Sequence, residues 1–293
     1  MTVSADDPRA LIGQLLTLLE LEELDTDLYR GSRQPGGVGR VFGGQVIAQA
    51  LQAAQASTPE KVAHSLHAYF MRPGSEDHAI VFRVERDFDG RSFATRRVTA
   101  MQNAEPILTM TASFQRPEEG FHHQAEMPEV APPEELLSAA EIRGRFPGAI
   151  SDQARNFFLR PRPIELRPVE TSNWLDPTAT APRQHMWFRT TGPLPDDPAV
   201  HRAALAYASD LMLLATSMLP HGVYWISHRM QVASLDHALW LHEPFRADDW
   251  LLYETDSPWA GHARGFIRGQ IFARDGRLVA SVAQEGLIRL RDK

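Results

Sequence analysis

The stretch FGGQVIAQALQAA, residues 42–54, and the stretch HSLHAYF, residues 64–70, together predict the fold. The first is a helix candidate that begins at a pair of glycines, and the second has the composition of a strand. Three more predicted strands follow, at residues 79–85, 92–102 and 106–115. One helix followed by several antiparallel strands indicates an α+β unit in which a curved sheet wraps around a central helix.

The second half of the chain repeats this order. A helix is predicted from Pro198 to about Ser217, with Asp197 as its N-cap and Pro198 at its first position. The strands predicted after it lie at 232–235, 250–254, 263–273 and 278–290. If Ser65-Leu66 corresponds to Ser234-Leu235, the hairpin turn at Asn103-Ala104 corresponds to the one at Asp275-Gly276. The repeat predicts two tandem hotdog domains, each with an antiparallel sheet around a central helix, fused into a double hotdog.

A segment rich in proline separates the two copies. It carries prolines at intervals from Pro117 to Pro161 and an acidic pair, so it is predicted to be a linker with one short helix. We therefore expect an N-terminal domain at residues 1–116, a linker at 117–162 and a C-terminal domain at 163–293.

Composition and charge exclude several classes of protein. The 293 residues are 43% hydrophobic, which is enough to fill the cores of two domains. The absence of cysteine excludes thiolate catalysis, disulfides and the usual structural zinc sites. A formal net charge of −7 argues against nucleic-acid binding, which needs a basic face. The sequence begins without a signal-peptide pattern and its densest apolar run is too short to span a membrane, so a cytoplasmic protein without membrane contact is expected.

Asp210 interrupts an apolar pattern. The residues around it in the predicted second helix are apolar almost all round, so the helix should be buried. A lone buried acid often bonds a backbone amide or an arginine. The matching helix, Gly43 to Ala54, has no acid, so the architecture does not require one. Because burial keeps a carboxylate basic, Asp210 is a candidate general base.

Gln284 interrupts a second apolar pattern. It shares the inward phase of the last strand with apolar residues, whereas its counterpart in the first half is Ala112. It could satisfy a buried carbonyl, or it could hold a water. Ser234 is weaker on its own, because its match, Ser65, shows that serine is tolerated there. An amide, a hydroxyl and a carboxylate that converge from a helix and two strands could position a water for attack.

Several ordered segments resemble the type II acyl-CoA thioesterase family, and the resemblance covers nearly the whole chain. They are RVFGGQ at 40–45, HSLHAYF at 64–70 with Arg72-Pro73-Gly74, GRSFATRRV at 90–98, MTASFQ at 110–115, YASD at 207–210, and Asp236-His237 with Trp240. The resemblance implies a double hotdog that hydrolyses acyl-CoA to a free fatty acid and coenzyme A. It implies no cofactor and no metal, an acyl-CoA substrate and a homo-oligomer.

The family's catalytic aspartate, threonine or serine, and glutamine fall on Asp210, Ser234 and Gln284. Ser234 stands where many relatives have threonine. The resemblance also links His64 to activity, in an accessory role; a partly buried histidine that bonds a carbonyl is the alternative. By analogy with single hotdog enzymes, the amides of Gly43 and Gly44 could hold the thioester oxygen, or the glycines could serve close packing. The dense cluster Arg91, Arg96 and Arg97 could bind the coenzyme phosphates, or it could be a solvated face.

Other hydrolase and nucleotide-binding classes lack their motifs. No Gly-x-Ser-x-Gly elbow occurs, Gly36-Gly37-Val38-Gly39 lacks the dinucleotide spacing, and no His-Glu-x-x-His is present. Two alternatives remain. A hotdog enoyl-CoA hydratase would need a histidine near Asp210, and a non-catalytic acyl-CoA sensor would have no need of the base.

Overall fold

A computed structural model describes residues 7–33, 39–145, 161–171, 178–223 and 230–291. Within these ranges the α-helices are α1 (Pro8–Leu19), α2 (Gly43–Ala56), α3 (Ala139–Arg145) and α4 (Pro198–Ser209), and 3-10 helices lie at Pro133–Glu135 and Leu213–His221. The strands of the first half are β1 (Leu21–Asp25), β2 (Leu28–Gly31), β3 (Val62–Phe70), β4 (Ile80–Asp89), β5 (Phe93–Gln102) and β6 (Glu105–Gln115). Those of the second half are β7 (Ile164–Pro168), β8 (Arg183–Thr190), β9 (Met230–Ser234), β10 (Asp236–Leu241), β11 (Leu251–Gly261), β12 (Arg264–Ala273) and β13 (Leu278–Leu290).

The predicted repeat of a helix and four strands is confirmed. In the first half β4, β5, β6 and β3 are neighbours in that order, and in the second half β11, β12, β13 and β10 are neighbours in the same way. The hydrophobic pattern did not reveal α1, β1, β2, β7 and β8, which extend the two sheets or pack beside α2. The predicted strand at 232–235 is in fact the end of β9 and the passage into β10.

The two sheets join edge to edge into one. Strand β3 pairs antiparallel with β10, so that Tyr69 lies opposite Asp236 and Ser65 lies opposite Trp240. Helix α2 packs against this sheet and against α4, and the two helices lie antiparallel to each other. Gln55, near the end of α2, donates to the carbonyl of Ala199 at the start of α4. The start of α2 therefore meets the end of α4.

The second predicted helix is shorter than the sequence indicated, which corrects the prediction that it runs to Ser217. Helix α4 ends at Ser209, and Asp210 is its C-cap. Two residues later, Met212 adopts a left-handed backbone with φ of 63°, which interrupts the helical path. The chain then continues as the 3-10 helix Leu213–His221. Asp210 is thus placed at a helix end, where its carboxylate can meet other elements.

The 3-10 helix lies close to the sheet because the strands beneath it carry glycine. A Cβ at Gly286 would lie 2.5 Å from the side chain of Leu214, and one at Gly265 would lie 2.5 Å from that of Ser217. The segment from Pro198 to His221 is long and apolar enough to cross a membrane by length and composition alone, but most of it is buried inside the fold.

The predicted linker packs against the second sheet. Its residues Met127, Val130 and Leu136 cover a small apolar cluster on the outer face, formed by Trp187, Trp250, Leu252 and Phe272. The indole nitrogen of Trp187 donates to the carbonyl of Ala131 at 2.9 Å. This part of the chain therefore shields the second sheet as well as connecting the halves.

Candidate active site

The end of α4 and the start of α2 approach unusually closely because α2 begins with two glycines. A Cβ at Gly44 would lie 2.4 Å from the carbonyl oxygen of Tyr207, and one at Gly43 would lie 2.7 Å from the Oδ2 atom of Asp210. Both distances are far inside van der Waals contact. The glycines are therefore required for close packing, and this packing brings the first half of the chain to the carboxylate of the second half.

Asp210 is partly exposed as a residue, but protein groups surround its carboxylate. Burial raises the pKa of this carboxyl above its usual value, opposed by nearby His237, by hydrogen bonds from Gln284 and Ser234, and by the backbone N–H of Gly44. The start of α2 also places the positive end of a helix dipole at the carboxylate. The result is an acid with a higher affinity for a proton than an exposed aspartate has.

A chain of hydrogen bonds leads to this acid. The side-chain amide of Gln284 donates to the hydroxyl of Ser234 at 2.8 Å, and that hydroxyl donates to Oδ1 of Asp210 at 3.2 Å. Gln284 is 1% exposed, as expected from its inward phase on β13. Ser234 reaches it because β9 pairs with β13. The structure thus brings together the three residues that the sequence singled out.

The strand register corrects the match between Ser234 and Ser65. Ser234 lies opposite Gly286 in β13, and Ala63 lies opposite Phe114 in β6. In each half the register then shifts by one residue at the next position along the strand. The counterpart of Ser234 is therefore Ala63 rather than Ser65, so Ser65 does not show that serine is tolerated at the position of Ser234.

Sequence reasoning missed His237. It is fully buried on β10, where its Nδ1 atom lies 2.6 Å from Oε1 of Gln284 and its Nε2 atom lies 2.9 Å from the hydroxyl of Ser209. Its counterpart in the first half is Leu66, which lies opposite Ala112 as His237 lies opposite Gln284. Its alternation with the buried Leu239 on the same strand was a signal that could have revealed it.

His64 lies far from this cluster. Its Nε2 atom is 2.9 Å from the hydroxyl of Ser113, and burial lowers the pKa of its ring. The other end of the same strand touches the cluster, because the N–H of Phe70 donates to the carbonyl of Leu235. Six residues of strand, about 20 Å, separate His64 from Phe70. The structure does not bring His64 together with Asp210.

The three arginines predicted to bind coenzyme phosphates do not form one basic surface. Arg96 is 1% exposed, and its guanidinium donates to the hydroxyl of Ser57 and pairs with Asp89. Arg97 points to the opposite face of β5, where it donates to both carboxylate oxygens of Asp87. The side chains alternate because they are neighbours on a strand. Arg96 cannot reach a phosphate without breaking these contacts.

The position of the three arginines also separates them from Asp210. Arg91 lies in the hairpin between β4 and β5, next to Phe93, which is opposite Gln115. Gln115 is in turn opposite Val62, at the far end of β3 from Phe70. Eight residues of strand correspond to about 26 Å. The three arginines therefore lie at the opposite end of β3 from the residues that contact Asp210.

The arrangement presents a carboxylate that can accept a proton. The carboxylate of Asp210 is basic, and its partner Ser234 is oriented by Gln284, which leaves the other carboxylate oxygen directed toward Gly43. Within the described ranges no group of three His, Cys, Asp or Glu side chains could hold a metal ion. The chemistry that these side chains offer is general base catalysis.

Comparisons with known proteins identify both halves of the chain as similar to acyl-CoA thioesterases. A family model described as acyl-CoA thioesterase N-terminal domain matches residues 32–115, and one described as acyl-CoA thioesterase matches residues 153–287. A dehydratase domain from Mycobacterium tuberculosis shares the fold with a TM-score of 0.53 at 11% identity. The fold alone therefore does not distinguish thioester hydrolysis from chemistry on carbon.

Sequence identity does distinguish them. The chain is 38% identical to acyl-CoA thioesterase 2 of Haemophilus influenzae, over 96% of this chain and 99% of that protein. It is 40% identical to human acyl-coenzyme A thioesterase 8, over 98% of this chain and 92% of that protein. The crystal structure of an acyl-CoA thioesterase II from Mycobacterium marinum matches with a TM-score of 0.78 and 41% identity, over 95% of this chain and 99% of that one. With such identity along nearly its whole length, the chain belongs to the type II acyl-CoA thioesterase family.

Proposed function

We propose that Asp210 is the general base of acyl-CoA hydrolysis, with Ser234 and Gln284 holding the acid and the attacking water in position. The water forms a bond to the thioester carbonyl carbon while it gives a proton to Asp210. The carbon–sulfur bond then breaks, and the proton passes to the departing thiolate. The products are a fatty acid and coenzyme A.

The observation that carries this proposal is the hydrogen-bond chain that ends at an acid whose pKa burial has raised. A general base works best when its pKa approaches the working pH, and desolvation moves a carboxylate in that direction. A purely structural acid in the core would be expected to pair with a cation. The groups that donate hydrogen bonds to Asp210 are instead neutral, namely Ser234, Gln284 and the N–H of Gly44.

The same placement supports a role for the first turn of α2. Amides at a helix start stabilise negative charge. The N–H of Gly44 already donates to Asp210, so the N–H of Gly43 is the one that we propose for the developing oxyanion. We assign no coenzyme phosphate to Arg96, because its guanidinium is buried; binding by Arg91 or Arg97 stays a prediction. A homo-oligomer, and the domain limits at 1–116 and 163–293, stay predictions.

The test is release of free thiol from acyl-CoAs of varied chain length, measured for wild type, Asp210→Ala and Asp275→Ala. Asp275 is an acid in the exposed turn before β13, so its variant is a matched control. We expect Asp210→Ala to lose about 10²–10⁴-fold in kcat and the control to keep wild-type rates. Full hydrolysis by a folded Asp210→Ala protein would remove Asp210 from the mechanism.

Two parallel measurements, of enoyl-CoA hydration and of acyl-CoA binding, separate the alternatives. Hydration of an enoyl-CoA without thiol release would support a hydratase. The geometry opposes this outcome, because both ring nitrogens of His237 are engaged by Ser209 and Gln284. Binding of acyl-CoA without any reaction would support a sensor.

A further inference from the structure

The orientation of the Gln284 side-chain amide decides whether the hydroxyl of Ser234 can donate its proton to Asp210. A carboxamide has an oxygen that accepts and a nitrogen that donates, and it can turn over. With its nitrogen toward Ser234, the serine proton is free to point at Asp210. With its oxygen toward Ser234, the serine would donate to Gln284 instead, and the bond to Asp210 would be lost. One residue must therefore hold the amide in the first orientation.

We propose that His237 is the positioning residue that fixes this orientation, an inference that rests on the function proposed above. Its Nδ1 atom lies 2.6 Å from Oε1 of Gln284. A ring nitrogen that carries a proton donates to an oxygen and repels an N–H group. His237 thereby holds the oxygen of Gln284 toward itself and the nitrogen toward Ser234.

The other ring nitrogen anchors the imidazole at the end of α4. Nε2 lies 2.9 Å from the hydroxyl of Ser209, which can donate to it when Nδ1 carries the ring proton. Ser209 is fully buried and directly precedes Asp210. The helix end that carries the base thus also carries the group that orients the ring, so the two ends of the hydrogen-bond chain are held by adjacent residues.

The fold does not need a histidine at this place. The equivalent position of the first half holds Leu66, which is 1% exposed and lies opposite Ala112. The first half therefore has apolar residues at the positions of both the histidine and the glutamine. His237 and Gln284 occur together in the half that carries the acid, as expected if they act as a unit.

Three substitutions of His237 separate positioning from packing. Asn places an N–H close to where Nδ1 is, Gln places one close to where Nε2 is, and Leu copies the first half. We expect His237→Asn to lose less than about tenfold in kcat, and His237→Gln and His237→Leu to lose on the order of 100-fold, with little change in KM. If His237→Gln is active while His237→Asn is not, the ring acts through Ser209 and the proposal is wrong.

A second measurement tests the route through Gln284. Combined with Gln284→Ala, His237→Leu should reduce kcat only a few fold further, because its target is already gone. Losses that multiply in full would show that His237 acts elsewhere, and would leave the role of Asp210 untouched. Retention of activity by Asp210→Ala would instead remove the proposed base, whatever the His237 variants do. Thermal unfolding of each variant identifies any that fail to fold.

Discussion

Replacement of Asp210 by asparagine should raise the stability of the protein and lower its activity. The carboxylate is enclosed by protein, and burial raises its pKa, so its ionised form weakens the folded state at neutral pH. Each tenfold increase in the proton affinity of the folded state corresponds to about 1.4 kcal/mol. In a chain of this size about 1 kcal/mol changes Tm by about 2–4 °C. Asparagine has nearly the same shape and no charge, so it removes this cost.

Activity should fall in the same variant. Without a base the attacking water keeps its proton, and we expect kcat to fall by about 10²–10⁴-fold, or about 3–5 kcal/mol of transition-state stabilisation. The amide can still accept the hydrogen bond from Ser234. It cannot also accept from the N–H of Gly44, and this offsets about 1 kcal/mol of the gain in stability. The pH dependence is therefore a sharper test than a single Tm.

The sign of that dependence follows from the raised pKa. The contribution of Asp210 to the stability of the wild type is complete below pH 3.8, the usual pKa of an aspartate. This contribution is lost as the pH rises through the raised pKa of Asp210 in the folded protein. The advantage of Asp210→Asn in Tm should therefore grow with pH and disappear in acid. Asp275→Asn is the control with the opposite sign, because the hydrogen bond from Arg277 lowers the pKa of Asp275. A pH-independent difference, or one that grows in acid, would refute the reasoning.

Three further substitutions test other contacts. Gly44→Ala should lower the free energy of unfolding by about 1–3 kcal/mol in urea, because its Cβ would lie 2.4 Å from the carbonyl oxygen of Tyr207; an unchanged midpoint would contradict the close approach. Ser234→Ala should reduce kcat at least about tenfold, whereas Ser234→Thr, which keeps the hydroxyl, should stay near wild type; equal losses would show that the hydroxyl is not the active feature. Arg96→Met should lower stability by about 1–3 kcal/mol through the lost bonds to Ser57 and leave KM for acyl-CoA unchanged, and a raised KM would restore Arg96 as a coenzyme ligand.

The sequence was most informative where a residue broke a local pattern. Gln284 among inward apolar residues is such a break, and its burial follows from strand alternation alone. The end of α4 could not be foreseen in the same way, because the apolar pattern continues through Met212 while the backbone turns left-handed there. The sequence alone does not mark His237, because a single histidine in a short strand is common. Its significance depends on a neighbouring strand that is distant in sequence.

Strand register is the second feature that the sequence did not predict correctly. A one-residue bulge shifts every partner after it, and both β3 and its counterpart carry such a bulge. Matching Ser234 to Ser65 therefore places the correspondence two residues away from the true one, which is Ala63. The arginine cluster failed for a related reason, because adjacent residues on a strand face opposite sides. Proximity in sequence suggested a basic surface, whereas the strand buries Arg96 and exposes Arg97.

The contrast between the halves explains why only one carries an acid at the helix end. Arg96 lies opposite Ala112 as Ile267 lies opposite Gln284, so Arg96 occupies the position in the first half that Ile267 occupies in the second. Its guanidinium bonds Ser57, the residue that caps α2 as Asp210 caps α4. A cation at the C-terminus of a helix is favoured by the helix dipole, and an anion there is opposed by it. The first half thus has the electrostatically favourable arrangement, and the second has the unfavourable one. Asp210 is tolerated because the start of α2 meets it, so its carboxylate depends on the first half of the chain for the N–H of Gly44 and for the positive end of that helix.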